Sequence, residues 1–508
     1  MNGSLNLSGG ESWLESARPP AGLYGTFGRD RSMKQAAIIG SGPNGLSAAI
    51  TLAQAGVEVC VYEARETIGG AAASAEITLP GFRHDLGSSI YPMAIASPFF
   101  RSLPLQNFGL QWIEPSAPLA HPFDDGTAVL LEHDLAATAA GLGLNSKLDG
   151  AAYTRVVRPL VEGWSNLCPE ILGPVLHWPQ HPLLLARFGA FAAPPASMLA
   201  KSLFAGPRAR ALFAGLAAHS VLPLESPFSS AVGWVLAAAG HATGWPIAAR
   251  GAQAISDALA NYFKSLGGRI ETGHPIESLA ELGGFDAILC DVSPKQLLRL
   301  GVHDFDPSYN LALRSYTYGP GAFKVDWALS QPIPWKAPEC SRAATVHLGG
   351  TLEEIAASER APWHGQVAEK PFVLVTQPSL FDPTRAPAGK HTAWGYCHVP
   401  NGFSGDLTQT IEVQVERFAP GFRDCILARK VTTPAAFEAW NANLVGGDLS
   451  GGAMTMKQLL FRPTSSQYRT PQKGLYLCSA STPPGGGVHG MCGYHAGTAA
   501  LRDLGLIQ

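Results

Sequence analysis

An α/β fold is predicted by two stretches of sequence and by the length of the chain. Residues 36–63 run in the order apolar strand, glycine-rich turn, amphipathic helix, second strand and acid, and residues 479–501 form a glycine-rich coil leading into a last helical run. At 508 residues the chain exceeds the roughly 250–300 at which a single core stops growing, so two domains are expected.

The apolar run Ala36 to Ile39 reads as a buried strand, and Gly40, Gly42 and Gly45 follow it as G-x-G-x-x-G. Pro43 to Ala55 reads as a helix, with Pro43 and Asn44 in its first turn. The first glycine of this pattern permits a tight turn, the second lets a pyrophosphate reach the backbone, and the third lets the helix pack on the sheet. The helix N-terminus then attracts the phosphate charge. Glu63 closes the unit at the end of a strand, Val57 to Tyr62. A carboxylate there binds ribose hydroxyls and repels a 2′-phosphate, so the predicted ligand is FAD or NAD rather than NADP. Glu63, Ala64 and Arg65 lead on to Gly69, Gly70 and Ala71. A second glycine turn so soon after the ribose acid is the pattern of FAD-binding oxidoreductases.

Composition narrows the class further. Charged residues are 15% of the chain against about 25% in an average soluble protein, and 46% of residues are hydrophobic, which implies extensive burial or an apolar surface. The net charge of −3 without a basic run gives no support to nucleic-acid binding. None of the eight cysteines forms C-x-x-C, and Cys60, Cys290 and Cys478 lie in apolar, strand-like runs. They read as reduced thiols of a cytoplasmic protein, which argues against disulfide-relay chemistry. No H-E-x-x-H, carboxylate cluster or His/Cys spacing indicates a metal, and no G-x-S-x-G elbow indicates a hydrolase. Residues 1–32, rich in Gly, Ser and Pro and without a signal-peptide core, are expected to be a disordered extension. No residue between Glu225 and Arg250 carries a formal charge, but Pro227, Gly240, Gly244 and Pro246 interrupt the run before a spanning length is reached. A helix lining an apolar cavity or resting on a membrane surface is expected there, which leaves peripheral membrane contact as an option.

The first block, together with SASTPPGGGVHGMCGYHAGTAAL from Ser479 to Leu501, resembles the phytoene desaturase and carotenoid isomerase-like branch of the flavin amine oxidase superfamily. The likeness is greatest to the pyridine nucleotide-disulphide oxidoreductase domain-containing group and runs from about Met33 to the C-terminus. It implies a Rossmann-type FAD-binding domain of discontinuous segments, 33–98, 246–300 and 470–508. An interleaved α+β substrate domain then takes 99–245 and 301–469. FAD is expected to be held without a covalent bond. Gly490 and Met491 would meet the flavin, and the helix that follows would stabilise anionic charge at flavin N1 and O2. Gly87, Ser88 and Ser89 would lie near the ring, and Ile276 would meet the adenine through its backbone. Lys324, in YGPGAFKVDWALSQPIPW, is similar to the lysine that holds a water against flavin N5. It would be desolvated and its pKa lowered. His489 is placed to contact flavin or substrate as a proton donor, or to serve structure. Along the strand carrying Tyr396, Cys397 and His398 only alternate residues share a face, and one face would line the pocket.

Two departures from the family pattern stand out. Ala71 replaces the arginine that often follows the glycine pair, and Arg250-Gly251 replaces a glycine pair before the helix that starts near residue 252. The reaction implied is hydride transfer to flavin from an activated C–H of a small apolar or amine-bearing molecule. With no second dinucleotide fingerprint, reoxidation falls to a diffusible acceptor, oxygen or a quinone. A redox-neutral double-bond isomerase and a non-catalytic FAD-bound scaffold are the alternatives. Substrate identity and oligomeric state are not legible.

Overall fold

The computed structural model describes residues 33–144, 146–301 and 305–508. The expected N-terminal extension, 1–32, lies outside the described residues. The first sheet takes β1 (Gln35–Ile39), β2 (Glu58–Tyr62), β9 (Arg269–Glu271), β10 (Ala287–Cys290) and β16 (Leu475–Leu477) in the order β16-β10-β1-β2-β9. Every pairing in it is parallel. Parallel sheets are covered on both faces, which is why β1 and β10 read as unbroken apolar runs. Helix α1 (Pro43–Gln54), helix Gln253–Ser265 and the C-terminal helix Met491–Asp503 pack on one face. Leu297, Tyr309 and Leu313 cover Ile39, Cys290 and Leu477 on the other.

The second sheet is mixed and has seven strands, in the order β15-β11-β14-β13-β12-β6-β7. They are β6 (Ala117–Pro122), β7 (Ala128–Leu131), β11 (Gly321–Leu329), β12 (Ala343–Leu348), β13 (Val373–Thr376), β14 (His391–Val399) and β15 (Ile426–Thr432). Period-2 alternation splits β11 and β14 into two faces. Phe323, Val325, Trp327, Ala393 and Cys397 enter an apolar cluster closed by Ile411, Val415 and Phe418 of helix Thr408–Phe418. Lys324, Asp326, Trp394, Tyr396 and His398 occupy the opposite face, over which β4 (Arg83–Asp85) of the hairpin with β3 (Ser74–Glu76) is laid. The remaining pair joins β5 (Trp112–Ile113) to β8 (Ile247–Ala248).

One hydrophobic cluster runs from Ile38 and Leu46 through Leu131 to Trp234, and Lys34–Gln508 form one compact unit. Helix Pro98–Ser102 follows the first segment, and its Phe99 packs on Tyr494 of the C-terminal helix at 5.2 Å.

Of the two placements expected for the uncharged stretch 225–250, the surface one does not hold. Its helix, Ser229–Ala242, is core, with Trp234 stacked on Phe213 at 4.2 Å and Ala237, Ala238 and Ala239 fully buried. Small residues explain the placement, since a Cβ on Gly233 would stand 3.2 Å from Ala217 Cα of helix Pro207–Ala218. Among the described residues no single helix is long and apolar enough to cross a membrane.

Arg250, where the family pattern has glycine, sits at φ +66°, beside Gly251 at +104°. Its N–H donates to Asp382 Oδ2 at 2.7 Å and its Nη2 to the Gly109 carbonyl at 3.0 Å. A left-handed conformation costs a non-glycine residue roughly 1–2 kcal/mol. Arg250→Gly is therefore expected to raise stability by about 1 kcal/mol in chemical denaturation. A fall would show that the bond to Gly109 outweighs the strain.

Candidate cofactor and substrate site

The fingerprint glycines close on one another and on a side chain from a distant segment. A Cβ on Gly45 would overlap the Gly40 carbonyl, so the third glycine lets α1 sit against the turn. A Cβ on Gly42 would come 2.6 Å from Asp291 Oδ2, and those on Gly40 and Gly45 would come 3.3 and 3.2 Å from Asp291 Cβ. Asp291 follows β10, and its Oδ2 accepts from the Gly45 N–H in the first turn of α1 at 3.0 Å. Burial, with a smaller contribution from the Glu63 charge, pushes the Asp291 carboxyl up to about 7, against the pull of the Gly45 N–H. Sequence reasoning missed this residue, although an acid ending a buried apolar strand is unusual enough to have marked it.

Glu63 is buried, and its Oε2 accepts from both the N–H and the Oγ of Ser41, at 2.9 and 2.5 Å. Its Oε1 accepts from the Arg65 N–H at 3.0 Å. Ser41 also ties in the second glycine turn, because Gly69 N–H donates to the Ser41 carbonyl at 3.2 Å. A Cβ on Gly70 would stand 3.0 Å from Gly42 Cα, so the two glycine turns pack backbone to backbone. Arg65 Nη2 donates to the Gly70 carbonyl at 3.0 Å, while Ala64 is exposed. Ser41 was not singled out in the sequence, yet it joins acid, first turn and second turn. The loop after β9 is fixed beside the acid, since His274 N–H donates to the Glu63 carbonyl and Gly273 N–H to that of Arg65, both at 2.9 Å. Ile276, two residues on, is partly buried against the apolar cluster that includes Ile288 and Leu297.

The C-terminal segment meets α1 at its first turn. A Cβ on Gly493 would overlap the Asn44 carbonyl, and one on Gly490 would overlap Ser47 Oγ, so the two helices cross at their N-terminal ends. Positive dipole ends are thereby brought together. Gly490 takes φ +69° as the N-cap residue, and Met491 starts the helix. His489 does not point away as a free acid. Its Nδ1 accepts from the Met491 N–H at 3.0 Å, and its carbonyl accepts from Ser97 Oγ at 2.7 Å. Burial lowers its pKa to about 4, so the ring is neutral near pH 7 with Nε2 carrying the proton. The imidazole is a cap of the helix it precedes, a placement that sequence adjacency to Gly490 does not reveal.

Gly87, Ser88 and Ser89 lie against the second glycine turn, because a Cβ on Gly87 would stand 2.5 Å from the Ala71 carbonyl. Ser89 Oγ donates to Asp85 Oδ2 at 2.5 Å and accepts from Trp394 Nε1 at 2.8 Å. Ser88 Oγ is 3.2 Å from the Tyr91 hydroxyl. Burial opposes ionisation of Asp85, but the Arg385 guanidinium at 2.6 Å holds its carboxyl below the usual range.

Lys324 adjoins this segment. It is 3% exposed, its Nζ donates to Asp326 Oδ1 at 2.5 Å and to the Asp85 carbonyl at 2.9 Å, and it lies 5.1 Å from the Trp394 ring centroid. Asp326 is fully buried, with His84 Nδ1 3.5 Å from its Oδ1. The lysine is thus half of a buried ion pair, a partner the sequence did not suggest. On the same face Tyr396 and His398 lie with ring centroids 5.5 Å apart, and His398 Nδ1 meets Glu359 Oε2 at 2.7 Å. Cys397 points to the other side, into the apolar cluster. All eight cysteines are free and buried, and among the described residues no group of His, Cys, Asp and Glu could hold a metal ion.

The chain is similar to several known proteins. Residues 38–103 match the model of an NAD(P)-binding Rossmann-like domain. The mouse pyridine nucleotide-disulfide oxidoreductase domain-containing protein 2 is 27% identical over 94% of this chain and 95% of its own. A neurosporene-forming phytoene desaturase from Rhodobacter capsulatus is 31% identical over 25% of this chain and 26% of its own. The structure of a putrescine oxidase bound to putrescine shares the fold, with a TM-score of 0.60 and 15% identity over 93% of this chain and 99% of that one. The chain is thus similar to phytoene desaturases and to the pyridine nucleotide-disulfide oxidoreductase domain-containing proteins, and it is an oxidoreductase of the flavin type.

Proposed function

We propose that the protein takes hydride from an activated C–H of a small apolar or amine-bearing molecule onto flavin N5 of a non-covalently held FAD. The observation that carries this reading is the convergence of four backbone segments: the Gly40–Gly45 turn, the Gly69–Ala71 turn, Gly87–Ser89, and Gly490–Met491 at the head of the C-terminal helix. Each close approach would be filled by a Cβ. The buried, unpartnered Oδ1 of Asn44 adds a polar atom that suits a ligand hydroxyl.

In this reading the turn at Gly42 and Gly70 receives the diphosphate at the N-terminus of α1, and Glu63, held by Ser41, faces the ribose. FAD supplies the hydride-accepting chemistry, and the protein supplies orientation, desolvation and charge. The head of the C-terminal helix presents its positive end to charge gained on reduction, and His489 keeps that first turn fixed through its Nδ1. In this reading Tyr396 and His398, which share the face of Lys324, are the side chains that meet substrate. Lys324 holds a water through its ammonium, which Asp326 fixes in place. A diffusible acceptor, oxygen or a quinone, returns the flavin to its oxidised form.

The test begins with colour. Purified protein is expected to be yellow and to release FAD on denaturation. Gly42→Glu places a second carboxylate against Asp291 and across the diphosphate path, so the folded variant is expected to be colourless. A well-folded wild type without affinity for FAD would contradict the reading. Anaerobic bleaching by one member of a panel of amines, polyenes and unsaturated lipids would then identify the substrate class.

A further inference from the structure

We propose that the face built from residues 174–203 docks the protein onto an anionic lipid bilayer surface. Helix Pro182–Ala192 turns Leu183, Ala186, Arg187 and Ala190 outward, a stripe at i, i+3, i+4 and i+7. A helix facing water is polar on such a stripe. Here it is apolar apart from Arg187, and Leu183 is 88% exposed. The loop before it adds Val175, Leu176 and Trp178, the last 93% exposed, and helix Ala196–Leu203 adds Met198. Exposed apolar side chains gathered on consecutive elements in this way mark an interaction site.

The display of Trp178 is built rather than frayed. Glu170, buried beneath the loop, accepts from the N–H groups of Gln180 and His181 at 2.7 and 2.9 Å and also meets the His177 ring. Holding an indole out at the end of a pinned loop suits the headgroup level of a membrane, where an amphipathic ring is favoured.

Charge selects the occupant. Across 144–203 the exposed cations are Lys147, Arg155, Arg158, Arg187 and Lys201, while Glu162 is the exposed acid and Asp149 and Glu170 are buried. The chain as a whole carries 36 basic and 39 acidic residues, so this excess is local. Arg187 Nη2 donates to the Arg155 carbonyl at 3.2 Å, which sets Arg187 against the helix bearing Arg155 and Arg158. Lys201 is shared with Glu353. An apolar stripe that carries Arg187, with Arg155 beside it, matches a phospholipid surface, with apolar side chains in the acyl boundary and guanidinium groups at the phosphates.

The geometry fits lying on a bilayer rather than crossing one. The two helices have 11 and 8 residues and meet at 95°. The longer spans roughly 16 Å against a hydrocarbon core of about 30 Å. A second copy of the chain is disfavoured as the occupant, because a twofold contact would set this cationic patch against itself.

Sedimentation with vesicles tests the proposal on the full chain. Wild type is expected to bind phosphatidylcholine vesicles containing phosphatidylglycerol, to be released by high salt, and to bind phosphatidylcholine alone weakly. Trp178→Glu with Leu183→Glu is expected to weaken binding by more than about tenfold. Arg155→Gln, Arg158→Gln and Arg187→Gln are each expected to weaken it by about fivefold. Unchanged melting temperature and FAD content keep these losses from being read as misfolding. Wild type that stays in the supernatant with phosphatidylglycerol vesicles, or binding untouched by the two glutamates, overturns the proposal. Self-association of wild type abolished by the same glutamates also overturns it, assigning the face to a second copy.

Discussion

Asp291→Asn is expected to remove a pH-dependent loss of stability from the apoprotein. The native Asp291 carboxyl, pushed up to about 7 by burial and the Glu63 charge, keeps its proton where the unfolded chain, with an aspartate at its ordinary 3.8, has released it. Between these values the folded state binds more protons, so stability falls as pH rises from about 4 to about 7 and stays reduced above that. Asparagine keeps an oxygen for the Gly45 N–H and carries no charge. The gain at pH 8 is on the order of 2–4 kcal/mol, the lower end allowing for the solvent that reaches this half-buried residue, and it shrinks to nearly nothing at pH 4. The other titratable groups facing it are Glu63, Cys290, Cys478 and Cys492, and burial pushes the three thiols up, so they remain neutral across this range. Urea unfolding of both proteins at pH 5 and pH 8 reads the effect. Equal losses over that interval would show that Asp291 is not its source. Because a diphosphate adds negative charge beside the same turn, FAD binding at pH 8 should also take up a proton in wild type and not in the variant.

Lys324→Met is expected to act twice, on stability and on rate. Removing the ammonium leaves Asp326, fully buried, without its cation, and stripping one partner from a buried pair costs about 3–5 kcal/mol. Replacing both partners by apolar residues is near neutral, so Lys324→Met with Asp326→Leu is expected to recover most of that loss. If Lys324 holds a water at the flavin, the double variant recovers most of the stability and is still slow. The rates to follow are anaerobic reduction by substrate and reoxidation of photoreduced enzyme by oxygen. Normal rates of both half-reactions in the stable double variant would reduce Lys324 to the counter-ion of Asp326.

What the sequence made legible was local. Gly40, Gly42 and Gly45 are spaced by a turn and one helical period, and β1, α1 and β2 fall within a residue or two of their expected places. The alternation along β14 separates Tyr396 and His398 from Cys397 as pattern alone requires. What escaped notice depends on partners far apart in the chain. Asp291 matters because Gly45, 246 residues away, offers it an N–H, and Ser41 because Glu63 and Gly69 both fold back to it. Strands β6 and β7 went unmarked, since the strand that orders them, β12, comes much later in the chain. The uncharged stretch 225–250 was apolar for a different reason than exposure: Gly233 and its alanine neighbours press against helix Pro207–Ala218. Apolar composition marks burial and membrane contact alike, and only the fold separates Trp234 from Trp178.

A crystal structure of the protein grown with FAD tests most directly whether separated segments build one flavin site. The account predicts the diphosphate over Gly42 and Gly70, the ribose at Glu63, and the tricyclic ring between Gly87–Ser89, Lys324 and the head of helix Met491–Asp503. A ring bound away from Gly490 and Met491, with the C-terminal segment taking no part in the site, would contradict it.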